Sequence, residues 1–205
     1  MKIITISREF GSGGRELGKR MADILGFDYY DREIISAIAE KQGLSENYVE
    51  NTLNNHGWQT VPLTYRRTVA GSAAMQSVQV NLLLEQKKVI EEIAKAGKDC
   101  VIVGRNADII LENENLFRMF VCADMETKID RCMERAQGEE QLTRKEVERH
   151  IKRIDKNRAR TREMLSDRGW GQKDAYEMIL NTTEWNIKEL APAAAGFAES
   201  WFRRK

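Results

Sequence analysis

Three glycines within four residues, in the run Gly11-Ser12-Gly13-Gly14, separate a β-rich stretch from a helix-forming one, and this junction constrains the chain more than any other feature. Before it, Lys2-Ile3-Ile4-Thr5-Ile6-Ser7 reads as a short buried strand. After it, Arg15-Glu16-Leu17-Gly18-Lys19-Arg20-Met21-Ala22 reads as a helix, with Leu17, Met21, Ile24 and Leu25 on one face. A strand, a glycine turn and a helix start together form an anion site. The turn lets backbone N–H groups converge, and the helix dipole favours negative charge there. Phosphate is the expected guest; the plainer alternative is a tight turn without a ligand.

The phosphate-loop pattern runs Gly, four residues, Gly, Lys, then Ser or Thr. Here the lysine position falls on Gly14, or on Arg15 if the loop shifts by one, and Glu16 or a neighbour replaces the hydroxyl that holds Mg²⁺. A dinucleotide fingerprint fails, because Gly11 and Gly13 would require a glycine at position 16, where Glu16 stands. Arg15 is left as a substitute phosphate clamp. Glu16 is either a carboxylate ligand for Mg²⁺ or a first-turn acid favoured by the helix dipole.

Strand and helix signals alternate along the remaining chain. Phe27 to Tyr30 reads as a second strand, and Asp31 as the cap of a helix through about Gln42 with Ile34, Ile35, Ile38 and Ala39 inward. Asn54 to Ala70 is irregular and carries His56, Trp58, Pro62, Tyr65, Arg66 and Arg67. Ser72 opens a long helix to about Ala96. Asp99 to Val103 is apolar enough for a central strand buried on both faces. Phe117 to Cys122 is a fourth strand, Glu126 to Ala136 a helix, and Tyr176 to Leu180 a last strand. A closing helix covers Trp185 to Phe202 and is broken or capped near Pro192. Such alternation predicts one α/β domain over residues 1–205, with a parallel sheet of about five strands covered on both faces. The ligand site is expected at the C-terminal ends of the strands.

Leu142 to Trp170 differs in kind, with ten Lys or Arg residues against five acids. Read alone it is a solvated helix face or a mobile cationic segment. The whole chain has a formal net charge of +1, which argues against a nucleic-acid or membrane-surface role. Cys100, Cys122 and Cys132 lack metal or disulfide spacing and read as buried free thiols. With no apolar run of membrane-spanning length and a strand at the N-terminus, a cytoplasmic protein is expected. His56 and His150 form no triad, and Trp58, Trp170, Trp185 and Trp201 read as packing or lid residues.

Several candidate residues follow from position. Arg105 comes directly after the third strand, where its planar fork suits a phosphate or a base edge; an ion pair with Asp108 or Asp31 is the alternative. Asp31 follows the second strand, and Asp155 and Arg158 share a helix face at i, i+3 spacing.

The run Ile4 to Gly18 resembles the opening of the cytidylate kinase-like family, a divergent branch of the P-loop nucleoside monophosphate kinases. Further matching pieces are Tyr29 to Ile35, Gly43-Leu44-Ser45, Cys100 to Asp108, Asp155 to Arg158 and Tyr176 to Thr182, in order along nearly the whole chain. The resemblance implies a three-layer P-loop NTPase fold with an acceptor-side insert at about 32–72 and a helical lid at about 138–172. It implies ATP and Mg²⁺ as cofactors, with phosphate held by Gly11, Ser12, Gly13, Gly14, Arg15 and Glu16, Glu16 also being the metal candidate. By the same resemblance Asp31, Arg105, Asp155 and Arg158 face the acceptor nucleotide, and Arg15 and Arg158 assist transfer. Where the family's kinases carry an aspartate after the arginine, this chain has Asn106. The expected activity is ATP-dependent phosphoryl transfer to a nucleoside monophosphate, CMP or dCMP, by a monomer or homodimer. The alternatives are a nucleotide-binding regulator with little catalysis and, against the neutral overall charge, a nucleic-acid contact by the basic segment.

Overall fold

The structure is a computed structural model that describes residues 1–54, 69–135 and 142–204. The expectations for His56, Trp58, Pro62, Tyr65, Arg66 and Arg67, and for the first lid residues at 138–141, lie outside the described residues. The chain divides into two compact units, Met1–Asp31 with Gly97–Lys205, and Arg32–Ala96.

The first unit is built on five parallel strands, β1 (Ile3–Arg8), β2 (Asp28–Tyr30), β3 (Cys100–Val103), β4 (Leu116–Cys122) and β5 (Met178–Asn181), in the order β2-β3-β1-β4-β5. The Ile-rich β1 lies in the middle, paired with β3 through Ile3–Ile6 and with β4 through Ile3–Arg8. The expected central strand, β3, is its inner neighbour, and all four of its residues are buried. Such apolar runs suit strands covered on both faces.

Five helices of this unit follow the strands: α1 (Gly14–Leu25), the single turn α5 (Ala107–Ile110), α6 (Met125–Arg135), α7 (Arg144–Glu163) and α8 (Ile187–Arg203). Numbering follows chain order, with Arg32–Gln42 (α2), Glu46–Asn54 (α3) and Val69–Lys95 (α4) in the other unit. Side chains alternate across the strands, so Ile4, Ile6, Val101, Val103, Phe117, Met119 and Val121 share one face. That face packs on Leu17, Met21 and Ala22 of α1 and on Ala191, Ala194, Ala195 and Ala198 of α8. Phe120 points the other way, against Trp170, Ala175 and Tyr176. The α6 and α7 helices share a smaller core of Ile129, Val147 and Ile151.

Two sequence expectations are corrected in detail. Ile24, assigned to the apolar stripe of α1, is exposed, because the buried face is completed by Gly18 and Ala22 instead. The closing helix runs through Pro192 unbroken. One missing N–H near the start of a helix is outweighed there by the alanine face buried on the sheet.

The second unit contains α2 (Arg32–Gln42), α3 (Glu46–Asn54) and α4 (Val69–Lys95). Ile34, Ile35, Ile38 and Ala39 are buried as expected, and Lys41 pairs with Glu92. This unit starts where the acceptor-side insert was expected and extends through the long helix to Ala96.

Candidate active site

The site of interest lies within the first unit, at the C-terminal ends of the strands. β1 ends at Arg8, Asp31 follows β2, Gly104 and Arg105 follow β3, and Thr182 follows β5. The order changes direction around β1, since the chain visits β2 and β3 on one side and then β4 and β5 on the other. Open α/β sheets bind ligands at such a switch point.

The glycine turn leads from β1 into α1. Gly13 is the N-cap of α1 in the left-handed region (φ 80°) and supplies no side-chain cap. The first-turn N–H groups have no carbonyl within their own helix, so they are available to an anion. By contrast, Thr143 and Glu146 form a complete capping box on α7, and Asn186 caps α8 through the Lys188 N–H. The turn is held from behind. Arg131, on α6, donates to the carbonyls of Ser12, Thr182 and Trp185, and the Thr182 hydroxyl donates to the Ser12 carbonyl at 2.7 Å. These bonds tie the Ser12 carbonyl to α6 and to the residue after β5.

The turn is also tied to α7. Asp155 Oδ1 accepts from the Phe10 N–H at 2.7 Å, and its Oδ2 lies 3.6 Å from Lys128 Nζ. Lys128 is buried and donates to Glu9 at 2.8 Å. Burial holds the Asp155 carboxyl above its ordinary range, against the pull of the Phe10 N–H, Arg158 and Lys128. Arg158 Nη1 donates to the Arg8 carbonyl at 3.0 Å, lies 3.6 Å from Asp155 Oδ1, and sits over the Phe10 ring. Asp155 and Arg158, on one helix face as their spacing suggested, thus hold the backbone at Phe10 and Arg8 just before the glycine turn, contacts the spacing did not announce.

Cations outnumber acids in front of the turn. Asp31 Oδ2 pairs with Arg15 Nε at 2.5 Å, and its Oδ1 lies 3.4 Å from Arg8 Nη2. Arg8 and Arg158 each feel the positive charges of Arg15 and Arg105, and Arg8 that of Arg158 as well. Burial is the largest cause of the shift in both. It lowers Arg8 to about 9 with the help of Arg158, Arg105 and Arg15 against Asp31. It lowers Arg158 to about 10 against Asp155 and Asp31, with Arg105 and Arg15 adding to the shift. Arg105 and Asn106 both have positive φ, 60° and 53°, directly after Gly104 at 76°. A left-handed conformation costs a non-glycine residue about 1–2 kcal/mol. Strain of this kind concentrates where a loop must present a side chain at a site.

Glu16 is placed differently from the other candidates. It pairs with Arg20 at 2.9 Å and with Arg135 at 3.6 Å. Among the described residues, no three His, Cys, Asp or Glu side chains gather to hold a metal ion. With Glu16 facing two arginines, the described residues present no carboxylate cluster that would hold Mg²⁺ by protein groups alone.

Residues that the sequence reading did not assign complete the site: Arg8, Glu9, Lys128 and Arg131. Their signal was available only for Arg8 and Glu9, which lie inside the matching opening motif. Lys128 and Arg131 lie on a helix whose periodicity gives no hint of its partners. The three cysteines are free, but Cys122 and Cys132 are only half-buried. Trp170 and Trp201 pack on Phe120 and Phe117, whereas Trp185 is 55% exposed. No helix among the described residues is long and apolar enough to cross a membrane.

Residues 3–184 match the model of the cytidylate kinase-like family. No curated protein matches the sequence. The crystal structure of an uncharacterized protein from Eubacterium ventriosum ATCC 27560 aligns with a TM-score of 0.71 at 23% identity, over 98% of this chain and 99% of that one. Shikimate kinase from Acinetobacter baumannii, in complex with shikimate, gives 0.55 at 12% identity over 97% and 93% of the two chains. Shikimate kinase from Bacteroides thetaiotaomicron gives 0.55 at 15% identity over 96% and 98%. At these identities the likeness is one of fold: a parallel five-stranded kinase sheet with helices on both sides.

Proposed function

This chain belongs to the cytidylate kinase-like family, and from that membership we propose that it transfers the γ-phosphoryl group of ATP to a nucleoside monophosphate, with CMP or dCMP as acceptor. The observation that carries the reading is the uncapped start of α1 behind Gly13, with arginines gathered near it from two strand ends (Arg8 and Arg105), from the first turn of α1 (Arg15) and from α7 (Arg158). Phosphoryl transfer needs charge neutralisation and in-line positioning more than covalent help. This constellation can supply both.

In this reading the Gly11–Glu16 segment holds the donor phosphates by backbone N–H groups, with Arg15 as their side-chain clamp. Arg105 and Asp31 lie on the acceptor side, at the ends of β3 and β2. Arg158 stands between them from α7, and Asp155 fixes its distance from the turn. Asp31 shares its two oxygens between Arg8 and Arg15 and so holds near each other two guanidinium groups that would otherwise repel. Mg²⁺ enters as part of the nucleotide substrate.

The test is a coupled ADP-release assay with ATP·Mg²⁺ and a panel of nucleoside monophosphates, backed by chromatography of the products. Turnover with CMP or dCMP above the other acceptors supports the reading. Tight ATP binding without transfer to any monophosphate refutes it and favours the nucleotide-binding regulator.

A further inference from the structure

Two departures from the phosphate-loop pattern touch each other in space. Set on this sequence with Gly13 as its second glycine, the pattern's first glycine falls on Arg8 and its lysine on Gly14. A bulky cation thus stands where the pattern has no side chain, and no side chain stands where it has a cation. A Cβ added to Gly14 would lie 2.7 Å from Arg8 Cβ and 3.2 Å from Arg8 Cγ, with Val121 Cβ next at 3.2 Å. The stem of Arg8 therefore fills the space in which a lysine at position 14 would begin.

The head of Arg8 continues across the strand ends. A Cβ on Gly104 would overlap Arg8 Nη1, and Arg8 Nη2 reaches Asp31 at 3.4 Å. Gly104 and the glycine turn thus leave a channel that the guanidinium occupies. We propose that Arg8 supplies, from the end of β1, the phosphate-binding cation that the pattern places at position 14, so that the two departures are one exchange. The proposal rests on the phosphate-binding reading of the turn.

A purely structural role accounts for the geometry less well. Asp31 gives its shorter contact to Arg15, at 2.5 Å, and only a long one to Arg8. The Arg8 side chain is 11% exposed, its carbonyl accepts from Arg158, and the charges of Arg158, Arg105 and Arg15 all oppose its own. A buried cation among cations is a poor structural element. It becomes favourable when a multiply charged anion joins the group.

Four proteins test the exchange: the parent, Gly14→Lys, Arg8→Gly and the double variant. Melting temperature is read without ligand, and binding of ATP and of inorganic tripolyphosphate by calorimetry. Gly14→Lys is expected to lower the melting temperature in the parent and much less in the Arg8→Gly background. Arg8→Gly is expected to lose at least tenfold in affinity for both ligands, and the double variant to regain part of it. Because a glycine at position 8 can weaken the fold, Arg8→Met is the second probe, since it keeps the stem over Gly14 and removes only the charge. It should melt close to the parent and still lose at least tenfold in affinity. Unchanged tripolyphosphate affinity in Arg8→Met, or no regain in the double variant, overturns the role of Arg8 and leaves the kinase reading standing. A parent that binds ATP through Arg8 but transfers nothing refutes the kinase reading and leaves Arg8 as a phosphate ligand. A parent that binds neither ligand overturns both.

Discussion

Arg162 Nη1, near the end of α7, donates to Asp108 Oδ2 at 2.7 Å, and both side chains are almost wholly buried. Arg162 Nε also donates to the Arg168 carbonyl at 2.8 Å, and the guanidinium lies over the Tyr176 ring. This pair pins the basic helix to the turn that follows β3, three residues beyond Arg105. The charge of Arg162 is therefore spent inside the protein rather than at the mouth of the site.

Breaking this pair leaves an uncompensated buried charge. Arg162→Ala and Asp108→Ala should each destabilise the fold by about 3–5 kcal/mol. The double variant Arg162→Met with Asp108→Leu should recover much of that loss, because neither charge then remains buried. Urea unfolding of the three proteins measures this. Single variants within about 1 kcal/mol of the parent would show that water reaches the pair.

Legibility in the sequence followed the range of the interactions. The β1–turn–α1 junction, the five strands and the buried Ile34, Ile35, Ile38 and Ala39 were readable because they rest on local periodicity and turn chemistry. Asp155 and Arg158 were readable as a pair from their spacing within one helix. The basic segment read as a solvated face or a mobile cationic segment because its partners are remote in sequence. Arg144 pairs with Glu126 and Asp130 on α6, and Arg162 with Asp108. Arg131 was invisible for a related reason. It holds backbone carbonyls of Ser12, Thr182 and Trp185, and backbone groups carry no residue-specific signature in a sequence. Glu16 left two readings open, since an acid at a helix start reads equally as a dipole partner or a metal ligand; its charge here faces Arg20 and Arg135.

Gly13 is where shape and ligand binding should fail together. An added Cβ would meet Ile187 Cδ1 at 2.7 Å in a backbone at φ 80°. Gly13→Ala should cost about 1–3 kcal/mol, most of it from the left-handed backbone because the Ile187 side chain can shift. It should also weaken ATP at least tenfold. Gly26→Ala is the control: its φ is 68°, nothing lies within 4 Å of an added Cβ, and it stands at the far end of α1. The control should lower stability by about 1 kcal/mol and leave ATP affinity unchanged. Equal loss of affinity in both variants would reduce the turn to an ordinary helix start.

Asp155 should give acid stability of an unusual sign. Its carboxyl is held above the ordinary value, first by burial, with Glu9 adding to the shift and Phe10 N–H, Arg158 and Lys128 opposing it. The folded protein then keeps a proton at a pH where the unfolded chain has released it. Stability from this group therefore rises as pH falls through the raised folded value toward the unfolded one. Asp155→Asn keeps an acceptor for the Phe10 N–H and removes the titration. Melting temperatures of parent and variant from neutral pH downward should show the difference moving in favour of the parent on acidification. A constant difference, or one moving the other way, would mean that Lys128 and Arg158 outweigh burial at this carboxyl.

Arg105, Arg158 and Arg15 should act as separate clamps rather than one pool of charge. They reach the site from different places: the turn after β3, α7, and the first turn of α1. Arg105 is held in a strained loop and faces the acceptor in the proposed reading, so Arg105→Ala should chiefly raise the KM for the monophosphate. Arg158 is positioned by Asp155 and by the Arg8 carbonyl, and in the proposed reading its contact with the transferring group strengthens as charge develops there. Arg158→Ala should therefore act mainly on kcat, at a cost of about 2–4 kcal/mol, the range for a lost electrostatic donor to a transition state. Arg15 is half exposed and tethered to Asp31, so Arg15→Ala should weaken ATP with little effect on the acceptor. Arg15→Lys should restore only part, because a point charge does not replace a planar fork. Steady-state kinetics of the four variants with both substrates varied separates these outcomes. If every variant shows the same modest change in every parameter, the arginines provide only a general field, and the assignment of donor and acceptor sides fails.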